Sequence, residues 1–519
     1  MARPSRYGAL FIPSGSHRSL VGESEDHPSH GSTPAFLVLS RRGFRVTGLS
    51  WIAILLVATL LSACRVQTPT PTPVNRPPLI YPTDTPAPVI VETSTSQPTI
   101  QPTQTASPTA SPTPPVAFLE VDPKPPIRFD LIYLSDERLM RWDHARQSQE
   151  ALINQVITYT LSTDGSQIAL LRAKGITANG IEMYDLERLD LETRQIQILI
   201  DDLPKAGSLS LSPDNQWLAY AIPGDDPTIH IVANTDDPAR QTLATCQSSH
   251  PSHCTNLIWS PKSRELAWSD REGLWRYDLG SHAPRLILPA QAAIPDPRGN
   301  STQVSVRYQS LSWSPFGRYI LSEIVVPASD VRWWGIADTT LQRLALLPDS
   351  FTTQPPRISA IWTQDGKVFV TRPSHFVENQ APVIELWIVT PTYSDLLILD
   401  RKYTLPPMEI YTSQRTVSRP DFSLERPFQA NDYTFRLAAY TTGEPVLSAL
   451  MNFDLRFGIL EKTNDLIVAE QNLLWAPDGS SLLLGEIEPK WIPVGSPTLY
   501  DLQAAIGAQT CCFSWTPDR

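Results

Sequence analysis

The sequence predicts an all-β fold, a β-propeller of four-stranded blades, on three observations. A phrase made of an apolar strand, Trp-Ser-Pro and then Asp-Gly or a relative recurs with a period of about 50 residues. A second phrase, an apolar strand that usually ends in Asp, recurs half a period out of step with it. The two ends of the repeat region are complementary fragments of one unit. Long amphipathic helical runs are absent from the sequence.

Residues 1–63 read as a signal region. Arg41, Arg42 and Arg45 precede the apolar run Trp51 to Leu61, and Leu61, Ser62 and Ala63 lead directly into Cys64. A basic region, a short apolar core and small residues make a secretory signal, and the run is too short for a comfortable membrane span. The arrangement resembles a bacterial lipobox, which implies a diacylglycerol on the Cys64 thiol and cleavage before it. An uncleaved signal anchor with a chance cysteine is the alternative. The residues ahead of Arg41 are unusually many, so the true start is expected further downstream.

Residues 64–126 read as a tether. Thr, Pro, Ser and Gln dominate, as in TPTPTPV from Thr68 and QPTQTASPTASPTPP from Gln101. Such a segment has too little apolar surface to offset the entropy of ordering, and its prolines keep it stiff. About 50 residues at roughly 3.1 Å each would reach on the order of 150 Å from a membrane, enough to clear a polymer wall.

Residues 127–519 carry the repeats. The clearest copies of the first phrase are LIWSPKSRELAW (Leu257 to Trp268), LSWSPFGRYIL (Leu311 to Leu321) and LLWAPDGSSLLL (Leu473 to Leu484). Weaker ones begin at Tyr159, Leu209 and Ala360, and FSWTPD (Phe513 to Asp518) closes the chain. Pro cannot continue a hydrogen-bond ladder and presets the turn, while Gly supplies the positive φ where the chain reverses. Trp259, Trp313, Trp362, Trp475 and Trp515 are therefore expected to pack between neighbouring blades, the large area of each indole finding its cover on the next sheet.

The second phrase centres on Asp143, Asp190, Asp278, Asp338, Asp454 and Asp501, with Asn234 and Thr390 at the equivalent places. That gives eight blades against seven visible copies of the first phrase, seven being the alternative count. The missing copy is expected between Pro406 and Tyr440. The recurrent Asp reads as a turn acceptor for nearby backbone amides. Long insertions are expected at Pro289 to Tyr308 and Pro406 to Tyr433. At the front, DLIYLSDERLMRWD (Asp130 to Asp143) has the later strands of a blade and no first strand, whereas FSWTPD is a first strand with nothing after it. Pairing the C-terminal strand with the N-terminal blade would close the ring and remove exposed sheet edges.

The Trp-Ser-Pro-Asp-Gly phrase resembles the repeat of TolB-type, WD40-like propellers over roughly Phe129 to Arg519. The resemblance implies the fold. Related repeats occur in periplasmic scaffolds, in propellers of some peptidases and in many surface proteins, so several activities are compatible with it.

The chain carries 42 basic and 53 acidic residues, net −11; without the six basic and three acidic residues ahead of Cys64 the net charge is −14. No basic run or aromatic-interleaved basic stripe is present, which argues against nucleic acid. With Cys64 assigned to lipid, four cysteines remain. Cys246 and Cys254 bracket the loop CQSSHPSHC and are read as a local disulfide in an oxidising compartment; zinc held by Cys246, His250, His253 and Cys254 is the alternative. Cys511 and Cys512 are strand neighbours, and alternation would point them to opposite faces, as buried thiols or with distant partners.

No GxSxG, HExxH, P-loop or DxDxDG motif occurs. His144, His230, His282 and His375 are scattered, one to a blade, and read as structural or surface residues. Asp225, Asp226, Asp236 and Asp237 read as solvated loop charges. The functional expectation is a monomeric, noncatalytic binding or scaffold module, exported and lipid-anchored outside the membrane or in the envelope, with a protein or cell-wall polymer as ligand and no cofactor or metal. The alternatives are a glycan lyase or hydrolase with its site at the channel mouth, and a TolB-like accessory lipoprotein of an envelope complex.

Overall fold

A computed structural model describes residues 127–517, apart from 205, 224–226, 236–237, 246–255, 296–300, 330, 348–357, 374–383, 393–396, 406–410, 413–414, 417–421, 442–446, 469–471, 486–488, 497 and 507–509. The expectations for residues 1–126, for Cys246, His250, His253 and Cys254, and for His375 and the four loop aspartates lie outside the described residues.

The described residues form an eight-bladed β-propeller of four-stranded antiparallel sheets. Blade 1 is built from both ends of the chain: Leu131–Ser135 pairs with Arg138–Asp143 on one side and with Thr510–Trp515 on the other, and Ser148–Asn154 completes it. Blades 2 to 8 follow as simple meanders over 156–203, 209–245, 258–289, 307–346, 359–405, 422–468 and 473–501. Both long insertions contain hairpins of their own, Gln291–Pro295 with Ser301–Ser305 and Tyr411–Thr412 with Arg415–Thr416. The second insertion is shorter than its expected span to Tyr433, because Phe422–Gln429 is already the first strand of blade 7.

That strand is the missing eighth copy. Gln429 pairs with Phe435 as Trp259 pairs with Leu266, so Gln429 holds the Trp position of blade 7. The turn after it is built by Asn431, whose side-chain oxygen accepts the Tyr433 and Thr434 amides. Sequence reading could not align it, because neither Trp nor Ser-Pro is present and a bulge at Arg426 (φ 51°) shifts the register.

Elsewhere the first phrase folds as its chemistry requires. The Ser or Thr after the Trp position accepts an amide at or just before the start of the next strand: Gln167 to Ser162 at 2.9 Å, Trp217 to Ser212 at 3.0 Å, Glu265 to Ser260 at 3.1 Å, Tyr319 to Ser314 at 3.0 Å and Lys367 to Thr363 at 3.0 Å. In the copies with Asp164, Asp214 and Asp365 the hydroxyl also donates to the turn carboxylate, as from Ser212 to Asp214 at 2.6 Å. The turn glycine has a second role besides positive φ. A Cβ on Gly165 (φ 69°) would stand 2.7 Å from Pro517 of blade 1, and one on Gly366 (φ 80°) would stand 2.5 Å from the Phe316 ring of blade 5. These close approaches let neighbouring turns nest.

The second phrase behaves as a set of turn acceptors. Asp190 Oδ1 accepts the amides of Glu192 and Thr193, Asp278 that of Gly280, Asp338 those of Thr340 and Leu341, and Asp454 that of Arg456. Blade 8 departs from this. Its third strand, Lys490–Pro493, puts Pro493 where five other blades have Asp, since Pro493 pairs with Ser481 as Asp278 pairs with Glu265. Asp501 therefore is not the copy its sequence suggested: it lies in the fourth strand, and its carboxylate accepts the Gln503 amide at the start of the short helix Gln503–Ile506.

The core runs between blades. Trp268, Tyr133, Tyr220, Tyr277, Phe369 and Phe435 are among the largest fully buried side chains, and Phe369 of blade 6 stacks on Phe435 of blade 7 at 4.0 Å.

Candidate binding face

A meander blade alternates its connections between the two faces of the disc. The first-to-second and third-to-fourth turns share one face, hereafter the turn face. The second-to-third loops and the inter-blade crossings share the other, the loop face. Every Trp-Ser-Pro and Asp turn therefore falls on the turn face, and every long insertion falls on the loop face.

On the turn-face side the repeat tryptophans stitch the innermost strands together. Trp259 Nε1 donates to the Ser210 carbonyl at 2.9 Å, Trp313 to Ile258 at 3.2 Å, Trp362 to Ser312 at 3.0 Å, Trp475 to Arg426 at 2.9 Å and Trp515 to Leu474 at 3.4 Å. Each bond crosses to the preceding blade and satisfies a carbonyl on the inner edge of its first strand. Trp259, Trp313 and Trp515 are buried, and Trp362 and Trp475 are half-buried. Two junctions use other residues: the Tyr159 hydroxyl reaches the Cys512 carbonyl between blades 2 and 1, and Gln429 Oε1 accepts the Gln364 amide at 2.8 Å between blades 7 and 6. The exposed aromatics of this face are also engaged. Phe316 covers Gly366, and the Arg456 guanidinium sits 5.2 Å from both the Tyr433 and the Phe457 ring centroids.

The loop face is built differently. The second and third strands of blade 2, Gln167–Ile176 and Glu182–Asp190, run on into a hairpin whose tip is TANG. At that tip Ile176 is 69% and Ile181 50% exposed. Below it lies a charged ladder: Arg172 meets the fully buried Glu187 at 2.7 Å, and Lys174 meets Asp185 at 3.4 Å and Asp202 at 2.9 Å. Burial pushes the Glu187 carboxyl above the usual range, and Asp185 adds to this against the pull of Arg172. In blade 6 the buried Glu385 is held by Arg372 at 3.0 Å and Lys402 at 2.6 Å, with both cations over the Trp387 ring. Between blades 4 and 5 the hairpin Gln291–Pro295 with Ser301–Ser305 is anchored by Ala292 and Ile294, which join the core around Trp313 and Trp333. A cleft of about 60 Å³ beside it is lined by Asn256, Asp270, Arg271, Arg307 and Tyr308.

These charged groups do not converge. Glu187, Glu265 and Glu385 belong to blades 2, 4 and 6, and each faces an arginine of its own sheet. Among the described residues no group of three or more His, Cys, Asp and Glu is arranged to hold a metal ion. His144 contacts Asp130 at 2.8 Å, and His282 contacts the Tyr277 hydroxyl at 3.3 Å. His230 is buried between the hydroxyls of Thr228 (2.7 Å) and Thr242 (3.0 Å), and burial together with the neighbouring Arg240 lowers its pKa to about 4. A separate cavity of about 340 Å³ opens between blades 5 and 6, lined by Tyr319, Ile336, Asp338, Arg343, Pro391 and Leu397. Its Asp338 is committed to Arg318 at 2.7 Å and to two turn amides.

Cys511 and Cys512 depart from the sequence expectation. Cys512 has φ 60° and sits in a bulge where two residues, Cys512 and Phe513, oppose Tyr133 alone. The bulge cancels the alternation. Cys512 is exposed, Cys511 is half-buried, and their Sγ atoms lie 2.7 Å apart.

Sequence reasoning also missed Ile176 and Ile181. The available signal was the run KGITANGIE, where two Ile flank a polar, Gly-containing turn longer than the strand pairing needs.

No protein-family model and no curated protein matches the sequence. Solved structures resemble it at low identity. TolB from Acinetobacter baumannii is 12% identical with a TM-score of 0.30, over 51% of this chain and 62% of TolB, under two thirds of its length. The dihydro-heme d1 dehydrogenase NirN is 12% identical with a TM-score of 0.43 over 78% of both chains. An oligogalacturonate lyase in complex with manganese is 10% identical with a TM-score of 0.38, over 69% of this chain and 99% of the lyase. At these identities and TM-scores the likeness carries no argument, and the propeller rests on the sheets described above.

Proposed function

We propose that this propeller is a noncatalytic binding module whose ligand, a protein or a cell-wall polymer, docks on the loop face, and that a lipid on Cys64 tethers it outside the membrane. The observation that carries the binding reading is the division of labour between faces. Tight turns that lock the ring occupy one face, while variable connections and the exposed Ile176 and Ile181 occupy the other. Loops held by a rigid scaffold are where recognition concentrates. The dispersed ion pairs support binding over chemistry, since Glu187, Glu265 and Glu385 are each committed to a cation of their own blade.

The tether reading rests on the sequence around Cys64 and on the Thr/Pro-rich stretch after it. Both halves are testable. Purified ligand candidates, or wall polymers on an array, should be retained by the protein and by a turn-face variant, Phe316→Ser, and lost by Ile176→Asp with Ile181→Asp. Retention by the loop-face variant, or turnover of a glycan by the wild type, would overturn the binding reading. Replacing Cys64 by Ser should release the chain from membranes, and persistent anchoring would point to an uncleaved helix.

A further inference from the structure

We propose that Cys511 and Cys512 are a modification site that is oxidised to a vicinal disulfide within the closing strand. Adjacent cysteines in a regular strand cannot do this, because their side chains leave opposite faces. Here the bulge at Cys512 turns both side chains to one side and brings their Sγ atoms to 2.7 Å. The position is reachable, since Cys512 is exposed and Cys511 half-exposed. It is also held in place: the Cys512 carbonyl accepts the Tyr159 hydroxyl from blade 2, Leu134 pairs with Cys511, and Cys511 packs into the core between blades 1 and 2. The conformation is thus imposed by the ring closure and exists before any sulfur chemistry takes place.

The chemistry balances with a small-molecule disulfide as oxidant. The Cys512 thiolate attacks one sulfur of the oxidant, forming a mixed disulfide and releasing one thiol. Cys511 then attacks the Cys512 sulfur and displaces the second thiol. Two S–H bonds are lost and one S–S bond forms, while the oxidant's S–S bond becomes two S–H groups. Adjacent Cα atoms are about 3.8 Å apart across an ordinary trans peptide, below the roughly 4.4 to 6.8 Å of most disulfides, so the bond is expected to be more reducible than a structural bridge. Two equivalents of a small-molecule thiol reverse both exchanges and leave as its disulfide, so the site cycles between dithiol and disulfide at the strand that closes the disc.

The test uses the full chain, reduced with dithiothreitol, desalted, exposed to oxidised glutathione and blocked with N-ethylmaleimide. Trypsin releases both cysteines in one peptide, Trp491 to Arg519. The expected peptide is lighter by two hydrogens and carries no maleimide; after renewed reduction it takes up two. Two maleimides after oxidation, a lasting glutathione adduct in the wild type, or a cross-link to another cysteine peptide or a second copy would each overturn the proposal. Cys511→Ser, folded by circular dichroism, should instead trap glutathione on Cys512. Failure to trap it would show that Cys512 is not the attacking thiol and would overturn the route.

Discussion

The two faces of the disc are made from the same strands and differ in almost everything else. On the turn face the first-to-second connections draw on a small set of parts: a buried hydroxyl, a carboxylate or asparagine, a positive-φ residue that is often glycine, and in five blades an indole reaching the previous blade. On the loop face connections range from the single residue Gln155 between blades 1 and 2 to an insertion that folds as its own hairpin. The ring's stability resides on the turn face. Inter-blade nesting and indole bonds tie the turn face to closure of the disc, so its sequence is constrained, whereas the loop face can vary with little effect on the ring.

The largest experimental effect is expected at the closure itself. Deleting 510–519 removes the first strand of blade 1 and leaves the edge of Leu131–Ser135 unpaired. The disc should lose cooperative unfolding or associate through that edge, seen by thermal melts and size-exclusion chromatography. Next, Trp313→Ala should cost about 3 to 5 kcal/mol by denaturant titration, and Trp313→Phe, which removes mainly the donor to the Ile258 carbonyl, only about 1 to 2 kcal/mol. Equal losses from the two variants would mean that the indole bond, and not burial, dominates the turn face.

A pH titration tests the region nearer the loop face. His230 lies two residues into the third strand of blade 3, and its folded pKa of about 4 stands below the usual 6.5. The unfolded chain therefore binds the extra proton between these values. The stabilisation is fully present above pH 6.5 and is lost as pH falls toward 4, by about 2 to 3 kcal/mol. A His230→Gln variant should flatten that part of the stability profile; an unchanged slope would place the pH dependence elsewhere.

Gly165→Ala should cost about 1 to 3 kcal/mol, from the positive φ and the approach to Pro517. The smallest change in stability is expected from Ile176→Asp with Ile181→Asp, within about 0.5 kcal/mol, because both side chains are exposed. A large loss there would show that the hairpin tip belongs to the fold and would erase the contrast between faces.

Much of this architecture was legible because its signals are local. Trp-Ser-Pro-Asp-Gly specifies a strand end, a turn and a strand start within a few residues, and the offset Asp phrase marks the second turn of the same blade on the same face. Repetition then gave the count of eight, and the complementary ends gave the closure. The legibility failed where a local signal was absent or misleading: Gln429 in place of Trp, Pro493 in place of Asp, and Asp501 capping a short helix. The candidate site was the least legible part, because exposed Ile176 and Ile181 look in sequence like any strand residues.

The sequence by itself determined the repeat, the turn chemistry and the joining of the two ends, since each depends on residues close along the chain or on their periodicity. Only the tertiary structure decided which carbonyl each indole satisfies, that every long connection shares one face, and that a bulge brings Cys511 and Cys512 side by side. The reason is register: a single extra residue opposite Tyr133 reverses where a side chain points, and that residue is defined by its partner strand nearly 400 positions away.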